Sequence, residues 1–258
     1  MRTLTSRDGT TIAFDRAGSG PALILVGGGP TDRSANADLA ELLAERFTVF
    51  NYDRRSRGDS GDTSPYEVDR EFEDIQAVID QAGGSALLYG TSIGGIIGLE
   101  AAARGLPITR LAVWEPPYSL DGARPPLPAD YQAQLATLLA EGRHGDMVEL
   151  FLTKATLIPA EVVASMRAAP FWPGLEANAP GLVRDAAIIG DASIPAERLA
   201  LVRAPTLVID GGTASWVSGA ADQAAAAVPG ARRRTLDGQP HNVDSAAIAP
   251  ALTEFLSG

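Results

Sequence analysis

Between residues 10 and 114 the chain alternates short aliphatic or β-branched runs with longer segments of helical periodicity, and this alternation restricts the possible folds most. The extended candidates are residues 10–16, 22–26, 47–52, 86–89 and 108–114. Between them, segments 34–46, 66–81 and 92–104 repeat apolar residues at helical spacing, as in Phe72, Ile75, Val78 and Ile79. Repeated strand–helix–strand units wind a parallel sheet with helices on its faces. The alternation stops after Trp114. From Pro116 to about Leu201 prolines are frequent, helical patterns cover 131–141 and 146–152, and no strand is predicted, so this stretch is expected to form a helical cap inserted over the edge of the sheet. Alternation returns with a strand at 206–210, a helix over 220–228, a strand at 231–236 and a last helix over 244–256. The expected organisation is one α/β unit, with core residues 1–115 and 202–258 interrupted by the insertion 116–201.

Composition narrows the classes of partner. A chain of 258 residues with 45% hydrophobic content can bury a substantial core. Its net charge of -11 repels phosphate backbones and anionic headgroups, so neither nucleic acid nor a membrane surface is an expected partner. The absence of cysteine excludes disulfides, thiolate metal sites and thiol nucleophiles. Residues 1–11 carry Arg2, Arg7 and Asp8 without an apolar targeting core, and no later run approaches the roughly 18 uninterrupted apolar residues of a membrane span. A cytoplasmic protein acting on a small molecule is expected. No histidine pair, G-x-x-x-x-G-K or suitably placed G-x-G-x-x-G is present, so neither metal nor nucleotide cofactor is expected.

The chemistry-bearing segment is Leu87-Leu88-Tyr89-Gly90-Thr91-Ser92-Ile93-Gly94-Gly95. A serine hydroxyl is a weak nucleophile; acyl transfer needs it exposed on a strained turn, beside a base and facing backbone N–H groups. Here an apolar strand feeds a turn at Ser92, glycines two before and two after leave room for the elements that cross there, and an apolar helix follows. Only His144 and His241 could serve as base. His144 sits in a polar stretch resembling a helix-linking loop, whereas His241 follows the last predicted strand and precedes the last helix, where a loop returns to the carboxyl edge of the sheet. His241 is therefore the expected base.

On these residues the chain resembles the α/β-hydrolase superfamily, specifically its small esterase and haloperoxidase-like branch with a helical cap after the sixth strand. The resemblance implies an oxyanion donor in the loop after the third strand, where Gly27-Gly28-Gly29-Pro30 stands and Gly27 replaces the family's histidine. It places one donor at the N–H of Gly29 and the second at Ile93. The segment 51–60 resembles the family's turn after the fourth strand, and its charged residues are read as structural.

The resemblance departs at the third triad member. The family most often places an aspartate just past the strand at 206–210, and here Gly211-Gly212-Thr213 follows instead. Two carboxylates can substitute: Asp210, at the end of that strand, and Glu115, at the end of the preceding one, in a loop stiffened by Pro116 and Pro117. Glu115 is preferred on that stiffness. The insertion offers Phe151, Leu152, Met166, Phe171, Trp172 and Leu175 as an apolar lining, and Trp216 as a further candidate wall. The function expected is cofactor-free hydrolysis of an apolar ester, lactone or thioester through an acyl-enzyme at Ser92. Its rivals are a lyase, cyclase or isomerase using His241 and the oxyanion donors without acylation, and a non-catalytic binder on the same scaffold.

Overall fold

A computed structural model describes residues 1–119 and 125–258. Eight strands form one sheet: β1 (Arg2–Thr5), β2 (Thr11–Ala17), β3 (Ala22–Val26), β4 (Thr48–Tyr52), β5 (Ala86–Thr91), β6 (Ile108–Trp114), β7 (Thr206–Asp210) and β8 (Arg232–Thr235), in the order β1-β2-β4-β3-β5-β6-β7-β8. β2 runs antiparallel to both neighbours, and every pairing from β4 to β8 is parallel. The connecting helices are α1 (Ala37–Leu43), α2 (Asp69–Gln81) and α3 (Ile93–Ala103) before the insertion, and α10 (Ser215–Ala227) and α11 (Ser245–Ser257) after it. Between β6 and β7 lie α4 (Tyr131–Ala140), α5 (His144–Leu150), a π-helical turn at Phe151–Ala155, α6 (Ala160–Met166), α7 (Trp172–Asn178), α8 (Leu182–Ile189) and α9 (Ala196–Leu199).

Central strands of a parallel sheet are covered on both faces, and their alternate residues must serve two separate layers. Ile24, Val26, Leu88, Val113 and Val208 face one layer, packing with Phe72, Ile75 and Val78 of α2 and Ile96 and Ile97 of α3. The intervening Leu23, Leu25, Leu87, Tyr89, Trp114 and Ile209 face the other, against Leu39 and Leu43 of α1 and Ile248, Leu252 and Phe255 of α11. The helices between β6 and β7 bury a third cluster of their own, including Leu135, Met147, Val148, Trp172 and Leu182.

The order of strands positions the site. β3, β5, β6 and β7 lie side by side, so the loops leaving their carboxyl ends converge, and the segment after β8 returns to the same edge. The sequence expectations differ from the fold in detail. β1 was not anticipated, being a short, mostly exposed edge strand with no apolar alternation. The helix predicted over 220–228 begins at Ser215, and the insertion contains α6 to α9 besides the two anticipated helices. None of the described helices is long and apolar enough to cross a membrane.

Candidate active site

Ser92 occupies a turn between β5 and α3 with φ 56° and ψ -124°, a backbone region that costs a non-glycine residue about 1–3 kcal/mol. The turn closes because its flanking positions lack side chains. A Cβ on Gly90 would lie 2.3 Å from the Gly94 carbonyl oxygen, and one on Gly94 would lie 2.2 Å from that of Val26. The Ser92 N–H donates to the Trp114 carbonyl at 2.8 Å, tying the elbow to the end of β6. Ile93, the first residue of α3, presents a helix N-terminal N–H beside the serine, where the helix dipole also favours negative charge.

The loop after β3 approaches the serine from the neighbouring strand. A Cβ on Gly28 would stand 3.0 Å from Ser92 Cβ and 3.7 Å from its Oγ, so this backbone packs directly against Ser92. Among the described residues the N–H groups of Gly28 and Gly29 donate to no protein acceptor. The carbonyls of the same loop are occupied: Thr31 Oγ1 donates to Gly28 O at 2.9 Å and Arg57 Nε donates to Gly29 O at 3.1 Å. Gly29 and Ile93 line the same cavity as Ser92, and among the described residues their N–H groups donate to no protein acceptor.

His241 follows β8 in a loop gripped by the end of β6. Its carbonyl accepts from the Trp114 indole Nε1 at 2.8 Å, and its Nδ1 lies 2.6 Å from Glu115 Oε2. A proton on Nδ1 donates to that carboxylate and leaves Nε2 as the free base. The other carboxylate oxygen, Oε1, accepts the Gly211 N–H at 2.9 Å, so both oxygens of the buried Glu115 are engaged. The histidine side chain is 47% exposed, leaving its second nitrogen open to the cavity. Among the described residues no hydrogen bond joins Ser92 Oγ to His241. Such bonds are often long without substrate and tighten in the reacting complex.

The glycine that replaces the family's aspartate after β7 has its own function in this geometry. A Cβ on Gly211 would fall 1.8 Å from the Gln239 carbonyl oxygen, so only glycine lets the histidine-bearing loop pass there, and its N–H anchors Glu115. Asp210, the other candidate acid, is engaged elsewhere. It accepts from the Ser218 hydroxyl and pairs with Arg233 at 2.9 Å. Burial alone would raise its carboxyl, yet the Arg233 guanidinium and the Ser218 hydroxyl hold it below the ordinary carboxylate value. Asp210 therefore does not meet His241. His144 begins α5 rather than occupying a loop, and it does not line the cavity.

A cavity of about 1290 Å³ lies over Ser92 and His241, between the carboxyl edge of the sheet and the helices that follow β6. Phe151, Leu152, Met166, Phe171 and Leu175 line it from the insertion, and Trp216 lines it from α10. Trp172 does not; it is buried inside the insertion, where its indole Nε1 donates to Glu176. The charged turn after β4 supports the cavity floor from behind. Arg54 makes paired hydrogen bonds to Glu71 at 3.0 and 3.1 Å, Arg55 to Asp74 at 2.8 Å for both, and Arg57 donates to Asp185 of α8 at 2.7 Å. The contacts of Gly211 and Arg57 join segments distant in the chain and leave no local signal; that of Thr31 lies within its own turn, three residues from Gly28, where the unbroken run Gly27-Gly28-Gly29-Pro30 was the one local hint that something must hold the loop.

Residues 22–251 match the Alpha/beta hydrolase family. The crystal structure of an alpha/beta hydrolase from Sphaerobacter thermophilus DSM 20745 is 54% identical, covering 99% of this chain and 100% of that one, with a TM-score of 0.95. Similarity to curated relatives is partial. The chain is 32% identical over 100 residues to the uncharacterized hydrolase YraK of Bacillus subtilis (strain 168), covering 37% of each chain. It is 37% identical over 111 residues to the N-formylmaleamate deformylase of Pseudomonas putida KT2440, covering 42% of this chain and 41% of that one. The matched region thus spans about two fifths of the length of these relatives. With a family match over most of its length and this fold around a serine elbow, the chain belongs to the α/β-hydrolase family.

Proposed function

We propose that the protein is a cofactor-free serine hydrolase that cleaves a small or medium apolar carboxylic ester, lactone or thioester through an acyl-enzyme on Ser92. The observation that carries this reading is the 2.6 Å contact between His241 Nδ1 and the doubly held Glu115 carboxylate, in a cavity that Ser92 shares. The buried carboxylate orients the imidazole and stabilises its charged form. His241 Nε2 takes the Ser92 proton as Oγ attacks the acyl carbon, and the developing oxyanion meets the N–H groups of Gly29 and Ile93. Collapse expels the leaving group with the proton returned from His241. Water, activated by the same base, then attacks the acyl-enzyme and frees Ser92.

The helices after β6 act as a cap whose Phe151, Met166 and Phe171 receive the apolar part of the substrate and exclude water from the reacting centre. Removal of a formyl group, the activity named for the Pseudomonas putida relative, is likewise an acyl-transfer reaction and supports this class. Glu115 also supplies the carboxylate whose absence would have favoured chemistry without acylation.

A fluorophosphonate probe followed by peptide mapping tests the proposal. The expected adduct is on the peptide carrying Ser92 and is absent from Ser92→Ala. No adduct at Ser92 in the wild type overturns it.

A further inference from the structure

We infer that Thr31 is the positioning residue for the oxyanion donor: its hydroxyl fixes the peptide plane that carries the Gly29 N–H. The inference rests on the acyl-enzyme reading above and deepens it.

The geometry is that of a single peptide unit. The Gly28 carbonyl and the Gly29 N–H belong to the same planar group, and in a trans peptide the two point in opposite directions. Gly28–Gly29 is trans, since the described cis bond is Ser64–Pro65. Whatever fixes the Gly28 carbonyl therefore aims the Gly29 N–H. Thr31 Oγ1 donates to that carbonyl at 2.9 Å, where a turn would ordinarily use a backbone N–H.

The loop needs such a holder. Gly27, Gly28 and Gly29 have no side chains to lock them, Gly29 sits at φ 24°, and rotation of a peptide between two glycines meets little steric resistance. The same peptide packs against the nucleophile, so a rotation there would turn a carbonyl oxygen toward the position the oxyanion must occupy. Arg57 holds the next peptide through the Gly29 carbonyl and is itself fixed by the Arg55 and Gly181 carbonyls and by Asp185. Among the described residues, the Thr31 bond alone acts on the unit that carries the donor. Thr31 also lines the cavity, so its hydroxyl works at the edge of the site.

The test uses the full-length protein and the rate of fluorophosphonate reaction at Ser92, because the phosphonyl oxygen enters the same oxyanion position as an acyl oxygen. Thr31→Val keeps the side-chain shape and removes the bond. Loss of a whole oxyanion donor costs about 10²–10³ in rate, so misaiming one is expected to lower the maximal inactivation rate by about tenfold or more. The probe's half-saturating concentration should stay within about twofold of wild type. Thr31→Ser, which restores the hydroxyl, should recover most of the rate, and Thr31→Ala should resemble Thr31→Val. A Thr31→Val protein that reacts like wild type, while Ser92→Ala does not react, overturns the inference and leaves the acyl-enzyme reading intact. Equal losses in Thr31→Ser and Thr31→Val also overturn it, because packing and not the hydroxyl would then be responsible. A wild type that fails to react at Ser92 removes both.

Discussion

Glu115 leaves β6 with φ 43°, a conformation in which few non-glycine residues are found, and from there reaches both the Gly211 N–H and the His241 ring. Asp210, at the end of the adjacent strand, is taken up by Ser218 and Arg233. The two carboxylates are thus predicted to separate cleanly in mutation. Glu115→Gln, which removes the charge that orients the histidine, should lower kcat for a p-nitrophenyl ester by about 10³–10⁴. Asp210→Asn should leave kcat within several-fold of wild type and act on stability instead. Because the folded-state carboxyl of Asp210 lies below its ordinary value, it stabilises the fold above the ordinary carboxylate range, and this contribution is lost as pH falls through the lowered value. Acid unfolding of Asp210→Asn should lack that component, as followed by circular dichroism between neutral and acid pH. The sequence separated the two carboxylates only by a preference for Glu115 on the stiffness of Pro116 and Pro117. The contact that separates them joins positions 126 apart in the chain and depends on a backbone turn at Glu115, which no local pattern encodes.

At the scale of elements, the strands with continuous aliphatic runs were readable, since β3, β5 and β7 are buried on both faces and leave an unbroken apolar signature. The serine elbow was readable from its glycines, since Gly90 must pass the Gly94 backbone and Gly94 must pass that of Val26. The helices after β6 were only half readable. α6 and α7 are short and lie next to prolines, and they hold together through tertiary burial rather than through intrinsic propensity. Their attachment to the core is ionic as well as apolar. Asp185 of α8 pairs with Arg54 at 3.0 Å and with Arg57 at 2.7 Å, and both arginines are buried. Asp185→Asn leaves Arg57 with carbonyl acceptors alone and removes one counter-charge from Arg54. Hydrogen bonds to charged groups contribute about 1.5–3 kcal/mol. The variant is therefore expected to melt about 3–12 °C lower by calorimetry, at roughly 2–4 °C for each kcal/mol in a chain of this size. An unchanged melting temperature would show that the latch contributes nothing.

For the molecule as a whole, the fold brings the segments after β3, β5, β6, β7 and β8 to one edge, and the helices between β6 and β7 roof the space above them. The loop carrying Gly29 follows β3, Ser92 follows β5, Glu115 follows β6, and His241 arrives after β8 against Gly211, which follows β7. This convergence follows from the alternating pattern of strands and helices, and so the architecture, and the place of Ser92 and His241 at one edge of the sheet, were legible in the sequence. What could not be read is how the loops hold one another, through Arg57, Trp114 and Gly211. The claim that these parts form an acyl-transfer site is tested most directly by mixing the protein with p-nitrophenyl acetate, quenching within the first turnover and weighing the peptides. One acetyl group on the peptide that carries Ser92, absent from Ser92→Ala along with the ester turnover, is the predicted result; full turnover by Ser92→Ala would contradict it.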